Sequence, residues 1–229
     1  MTDSIQQAPT HRPTLSEPGL LFMDMDSTLI QCECIDEIAD FLGIKAEISA
    51  ITERAMRGEL DFAASLTERV QLLAGLDACV LEKVYQECIT LTDGAETLIS
   101  TVQQHGWKVG LVSGGFTYFT DKLQARLNLD FSRSNVLEIH HNKLTGGIIG
   151  DIVDAHCKRR CLIEQADIFS IPMRQTIAIG DGANDLPMIH AAALGIAFHA
   201  KPTVQEQADI TINQGGLDQV LKLLNKPCL

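Results

Sequence analysis

The chain has 229 residues, enough for one sizeable core and a smaller appended unit. Its 45% hydrophobic and 21% charged residues are the make-up of a soluble globular protein. The net charge of −12, from 30 acidic against 18 basic residues, argues against a nucleic-acid or anionic-membrane partner. No run approaches the ~20 apolar residues of a membrane span, and the N-terminal stretch lacks the charged-then-apolar pattern of a signal peptide. The seven cysteines (Cys32, Cys34, Cys79, Cys88, Cys157, Cys161 and Cys228) are an odd number and too sparse for a disulfide scaffold. Reduced thiols in a cytoplasm are therefore expected. Cys32 with Cys34, or His156 with Cys157 and Cys161, could be imagined as zinc ligands, but neither set makes a paired C-x-x-C framework.

Residues 1–18 are polar and carry Pro9, Pro13 and Pro18, which reads as a flexible arm. Leu20 to Met23, four apolar residues after Pro18-Gly19, predict a buried strand. Ile35, Ile38, Ala39 and Leu42 recur at helical spacing ahead of Gly43. A second helix is expected with Asp61 as N-cap, Phe62, Leu66, Val70 and Leu73 as its apolar stripe, and Gly75 as its stop. The insert over about 35–90 has no convincing strand and reads as a small helical cap.

From Asp93 the pattern changes. A helix over 94–105, a strand over 108–112 ending at Ser113-Gly114-Gly115 and a helix from Phe116 follow one another. Residues 136–153 alternate like a hairpin turning near Asn142-Lys143, and a helix over 155–167 comes next. Strand 176–179, the loop Gly180-Asp181-Gly182-Ala183-Asn184-Asp185, a helix, strand 195–198, a short helix, strand 210–212 and a last helix complete the chain. Alternating strands and helices predict an α/β fold, a doubly wound parallel sheet, with the cap inserted after its first strand. The expected division is an arm over 1–18, a core over 19–34 and 91–229, and the cap over 35–90.

Two acidic loops stand just past apolar strands. Asp24 and Asp26 follow Leu20–Met23 and would share a face if that strand persisted. Converging carboxylates repel, and a hard cation such as Mg²⁺ would relieve them. A solvated loop or a Ca²⁺ loop is the plainer reading of that pair. Asp181 follows the strand at 176–179, and parallel strands would bring it towards Asp24 and Asp26. An Asx-type turn with a helix N-cap is its plainer reading. Ser113-Gly114-Gly115 offers backbone amides and a hydroxyl to an anion, or is a mere strand-to-helix turn. Lys158, Arg159 and Arg160 are three bases in the first turn of a helix, and the sequence does not choose among them.

The order Asp24-Met25-Asp26-Ser27-Thr28-Leu29-Ile30, then Ser113-Gly114-Gly115, a lysine, and Gly180-Asp181-Gly182-Ala183-Asn184-Asp185-Leu186-Pro187-Met188 resembles the four motifs of the haloacid dehalogenase-like phosphatases. Glu33 and the stretch Ser65-Leu66-Thr67-Glu68-Arg69-Val70 resemble the phosphoserine phosphatases within that family. The resemblance covers about residues 20–213.

It implies an enzyme that hydrolyses L-phosphoserine, the last step of serine synthesis, through an aspartyl-phosphate on Asp24. Asp26 would act as general acid and base. Mg²⁺ would be held by Asp24, Asp181 and the backbone carbonyl of Asp26, with Asp185 behind them. Ser113, the Gly114 amide and Lys158 would hold the phosphate, and Asn184 would lie near it. Glu33 would meet the substrate ammonium and Arg69 its carboxylate. A relative acting on another small phosphomonoester, or passing phosphate to an acceptor alcohol, is the alternative. Larger members carry an N-terminal regulatory domain for which the arm is too short. His140, His141 and Cys157 have no role in this scheme.

Overall fold

The computed structural model describes residues 12–56 and 59–224. The chain divides into two compact units, Met1–Met23 with Asp93–Gly110 and Ala155–Leu229, and Asp24–Thr92 with Leu111–Asp154.

The first unit holds strand β1 (Leu20–Met23), the start of β2 (Lys108–Phe116), β5 (Thr176–Gly180), β6 (Leu194–Phe198) and β7 (Ile210–Ile212). The order here is β2-β1-β5-β6-β7. β1 pairs with β5, β5 with β6 and β6 with β7, all in parallel. All four residues of β1 are fully buried, as expected of a parallel strand covered on both faces. Met23 sits beside Ile179 in the register, so the chain leaves β1 into Asp24 and β5 into Gly180 and Asp181 at the same end of adjacent strands. Helices α5 (Ala95–Gln104), α7 (Ala155–Ile168), α8 (Leu186–Ala191), α9 (Pro202–Gln205) and α10 (Gln219–Leu224) belong to this unit, with α7 packed on α8.

Of the expected N-terminal arm, residues 1–11 lie outside the described residues. The Thr14 amide donates to Gln175 Oε1 at 2.9 Å, and Arg174 pairs with Glu17 at 2.8 Å.

The second unit holds α1 (Cys34–Leu42), α2 (Lys45–Met56), α3 (Phe62–Gln71), α4 (Cys79–Glu87), the rest of β2, α6 (Thr117–Leu127) and the antiparallel pair β3 (Phe131–His140) and β4 (Lys143–Ile149). Its strand order is β4-β3-β2. Two of the sequence signals act as expected. Gly43 closes α1 in the left-handed conformation at φ 68°, and the Asp61 side chain caps α3 by accepting from the Ala64 amide at 2.7 Å. The hairpin turns one residue earlier than expected, on His141 and Asn142 at φ 49° and 63°, the pair of positive φ angles that a tight hairpin turn requires.

Between residues 35 and 90 the described residues form helices and no strand. The chain enters and leaves that stretch as a short ribbon. Gln31 N–H donates to Thr90 O at 3.0 Å, Thr92 N–H donates to Leu29 O at 2.9 Å, and Ile30 and Leu91 face each other.

One condition is not met and one expectation fails. β1 does not persist past Met23: Met25–Leu29 forms a wide turn closed by Ile30 N–H donating to Met25 O at 3.0 Å. Asp24 and Asp26 are therefore placed by that turn and not by strand alternation. Ser113-Gly114-Gly115 does not open a helix either. β2 runs on through Phe116, because both glycines stay extended, and α6 starts only at Thr117.

Candidate active site

In the second unit the acidic loop is built backbone first. Asp24 is 5% exposed, and its Oδ1 accepts from the Met25 amide at 2.7 Å. Asp26 Oδ1 accepts from the Cys34 amide at 3.1 Å, which ties the loop to the first residue of α1. Ser27 takes the left-handed conformation at φ 55°, with its amide donating to Cys32 O at 3.2 Å. This is an uncommon conformation for a residue with a side chain. It aims the Ser27 hydroxyl at Glu33, and Oγ donates to Oε1 at 2.6 Å.

The glycines of β2 are where side chains approach too closely for a Cβ. On Gly115 a Cβ would come within 2.7 Å of Met25 Cε and 2.8 Å of Asp26 Oδ2. On Gly114 it would meet the Phe62 ring at 2.8 Å. Asp26 is thus packed directly on the Ser113-Gly114-Gly115 backbone. Ser113 is buried, and its Oγ accepts from the Gly115 amide at 2.8 Å.

Arg69, on α3, has its Nε donating to Ser65 O at 3.3 Å. Burial lowers its pKa, and the negative charges of Asp36, Glu33 and Asp26 push it back up. The guanidinium therefore lies in the field of both predicted residues, Glu33 and Asp26, with Asp36 as the strongest acidic influence. Burial raises the Asp36 pKa, against the pull of Lys45 and Arg69. Among the thiols near this loop, burial first and then the Asp26 charge push Cys32 up to about 12, and the same causes raise Cys34. Thiols held protonated in this way are poor nucleophiles.

In the first unit the second acidic loop closes on itself. Gly182 N–H donates to Asp185 Oδ2 at 3.1 Å, and Asp185 Oδ1 pairs with Lys158 Nζ at 2.8 Å, both side chains having no exposed surface. The Asp185 carboxyl group occupies the space a side chain on Gly180 would need. The Asn184 side chain lies over Gly182, and Lys201 N–H donates to Asp181 O at 3.2 Å. Asp181 and Asp185 each offer a carboxylate oxygen, and these lie within 4.8 Å of each other. Of the three bases in the first turn of α7, the fold buries Lys158 and leaves Arg159 and Arg160 exposed. The loop is also the tight turn that its composition suggested, since Asp185 serves the turn and the ion pair together.

Residues 19–193 match the family described as haloacid dehalogenase-like hydrolase. The chain belongs to that family. It is 53% identical over 213 residues to a phosphoserine phosphatase of Haemophilus influenzae, across 93% of this chain and 68% of that protein. A solved structure of a probable phosphoserine phosphatase from Vibrio cholerae is 46% identical with a TM-score of 0.84, covering 93% of this chain and 65% of that one. A structure of a phospho-aspartyl intermediate analogue of phosphoserine phosphatase is 41% identical with a TM-score of 0.85, covering 91% of this chain and all of that one. This family member thus spans about two thirds of the two longer relatives. No helix among its described residues is long and apolar enough to cross a membrane.

Three residues that touch the predicted ones carry no sequence signal for that contact. Ser27 holds Glu33, Phe62 covers Gly114, and Asn135 donates to the Gly114 carbonyl at 2.7 Å. Phe62 stood in the apolar stripe of α3, and its contact with Gly114 is a tertiary one that periodicity does not encode.

Proposed function

We propose that this chain is a Mg²⁺-dependent phosphoserine phosphatase, hydrolysing L-phosphoserine to L-serine and phosphate. The observation that carries the reading is the register of β1 on β5, from which Asp24 and Asp181 emerge at the same strand ends. Such edges of parallel sheets are where ligands bind. The identities of about half with phosphoserine phosphatases support the choice of substrate.

In this reading Asp24, Asp181 and the carbonyl of Asp26 would hold the ion, with Asp185 behind them. An all-oxygen donor set suits a hard cation. When bound, Mg²⁺ would neutralise charge on the phosphate. A carboxylate oxygen of Asp24 attacks phosphorus as the bond to the serine oxygen breaks, giving an aspartyl-phosphate. Asp26, protonated at the start, gives its proton to the departing serine oxygen. It then takes one from the water that attacks the same phosphorus, which frees Asp24 and phosphate. Ser113, the Gly114 amide and Lys158 hold the phosphate oxygens, with Asn184 beside them, and such electrostatic positioning is most of what phosphoryl transfer asks of a protein.

Glu33 receives the substrate ammonium and Arg69 its carboxylate, a pairing suited to the arginine fork. Residues 35–90 serve as the cap that carries Arg69, and 19–34 with 91–229 as the core. Six described cysteines are free thiols, in keeping with a cytoplasmic protein.

The test is phosphate release from L-phosphoserine with Mg²⁺ and with EDTA, beside phosphothreonine and phosphoethanolamine. Metal-dependent release that prefers phosphoserine is expected, and Asp24→Asn abolishes it while the fold persists. Equal rates on all three compounds would discard Glu33 and Arg69 as the substrate clamp and favour a broader phosphomonoesterase. Full activity in Asp24→Asn would overturn the covalent mechanism.

A further inference from the structure

Asn135 lies in β3 with 1% of its surface exposed, and its side-chain amide is engaged at both ends. Nδ2 donates to the Gly114 carbonyl at 2.7 Å, and Oδ1 accepts from the Val153 amide at 2.8 Å. The Gly114 carbonyl shares a peptide plane with the Gly115 N–H, and that N–H donates to Ser113 Oγ at 2.8 Å. In a planar trans peptide the two groups point in opposite directions, so fixing one aims the other. Flanking glycines give this peptide little resistance to rotation of its own, because they lack the Cβ that narrows backbone choice elsewhere.

A hydroxyl has one hydrogen to give. With its oxygen already accepting from Gly115, Ser113 has that hydrogen left to direct elsewhere. We infer that Asn135 is a positioning residue for phosphate binding, acting through the Gly114–Gly115 peptide to keep Ser113 a hydrogen-bond donor to a substrate phosphate oxygen. Each bond in the line Asn135 to Gly114, Gly115 to Ser113 and Ser113 to phosphate polarises the next. The inference rests on the reading of Ser113 as a phosphate ligand.

A double-mutant cycle tests it, with inhibition by inorganic phosphate as the readout. Ser113→Ala removes the end of the line. Asn135→Asp retains an acceptor for Val153 and loses the donor to Gly114, while Asn135→Ala loses both. From the usual worth of one hydrogen bond to a charged group, Ser113→Ala is expected to weaken phosphate inhibition about 30-fold and either Asn135 variant about 10-fold. If Asn135 acts through Ser113, the double variants fall within about threefold of Ser113→Ala alone, the mark of coupled sites.

Losses that multiply would overturn the inference, since a merely structural asparagine weakens the site whether or not Ser113 is present. Wild-type inhibition in both Asn135 variants would overturn it as well. Failure of both variants to fold, followed by circular dichroism and urea unfolding, would assign Asn135 to stability alone. Unchanged inhibition in Ser113→Ala would instead remove Ser113 from the phosphate site. Only that last outcome reaches back to the proposed site.

Discussion

Lys158 Nζ lies 2.8 Å from Asp185 Oδ1, and neither side chain has any exposed surface. An ion pair this deep is held by its own attraction and by the further hydrogen bond from Gly182 to Asp185. Removing one partner leaves the other charged and dry. Lys158→Ala is expected to cost about 3–5 kcal/mol of stability, the usual result of orphaning a buried charge. Lys158→Met with Asp185→Leu should recover most of that loss without recovering phosphatase activity. Urea unfolding midpoints compared with turnover separate the two effects.

The hydrogen bond from Ser27 to Glu33 has a cleaner signature in substrate choice. Ser27→Ala leaves the Glu33 carboxylate free to turn. KM for phosphoserine should rise by about three- to tenfold, the range for one hydrogen bond to a charged group after screening by solvent. A substrate without an ammonium, such as p-nitrophenyl phosphate, should be handled as before. Equal losses on both substrates would show that Ser27 serves the loop as a whole.

Gly115 has no room for a methyl group. Gly115→Ala presses on Met25 Cε and Asp26 Oδ2, which a Cβ would meet at 2.7 and 2.8 Å. The expected result is a fall in kcat of about 10²-fold, since small misplacements of a catalytic group are that costly. The unfolding midpoint should move far less. A variant with wild-type kcat would show that Asp26 tolerates displacement.

Acid should act through Glu82. It accepts from Tyr118 Oη and pairs with Lys122 at 2.8 Å, and its pKa is lowered to about 2, first by the bond to Lys122 and then by that to Tyr118. A folded pKa below the ordinary carboxylate value means stability that is present above pH 4.5 and lost as pH falls towards 2. Glu82→Gln should flatten the stability profile across that interval. The pair is solvent-exposed, so the difference should shrink in high salt. Thermal melts at stepped pH, with and without 1 M salt, measure both effects.

Much of this is legible in the sequence. β1 and β5 were plain because a strand covered on both faces writes itself as an unbroken apolar run. Gly43 and Asp61 announced helix ends because those positions have local requirements. Gly114 and Gly115 escape such local rules for the opposite reason. Glycine signals a turn by default, whereas here it makes way for Phe62, Met25 and Asp26, none of them a neighbour in sequence. Lys158 could not be told from Arg159 and Arg160 because its partner stands 27 residues further on. Asn135 was silent, its chief partner being a backbone carbonyl 21 residues earlier. Local rules reach the elements; what fixes the side chains is long-range contact.

The ribbon formed by Leu29–Gln31 and Thr90–Thr92 has a consequence for how such a chain diversifies. The excursion departs and returns through two short segments bonded to each other, and it is held as well by Gly75 N–H donating to Leu144 O at 2.8 Å, by Phe62 against Gly114 and by Glu82 pairing with Lys122. The residues between those two segments are thus free to vary only outside these contacts. Cys34, at the start of the excursion, also holds Asp26 through its backbone amide, so the acidic loop and the excursion are built together. Exchanging residues 32–89 for the equivalent excursion of another family member should therefore leave a foldable chain only when the facing residues of β4 and α6 are exchanged with it.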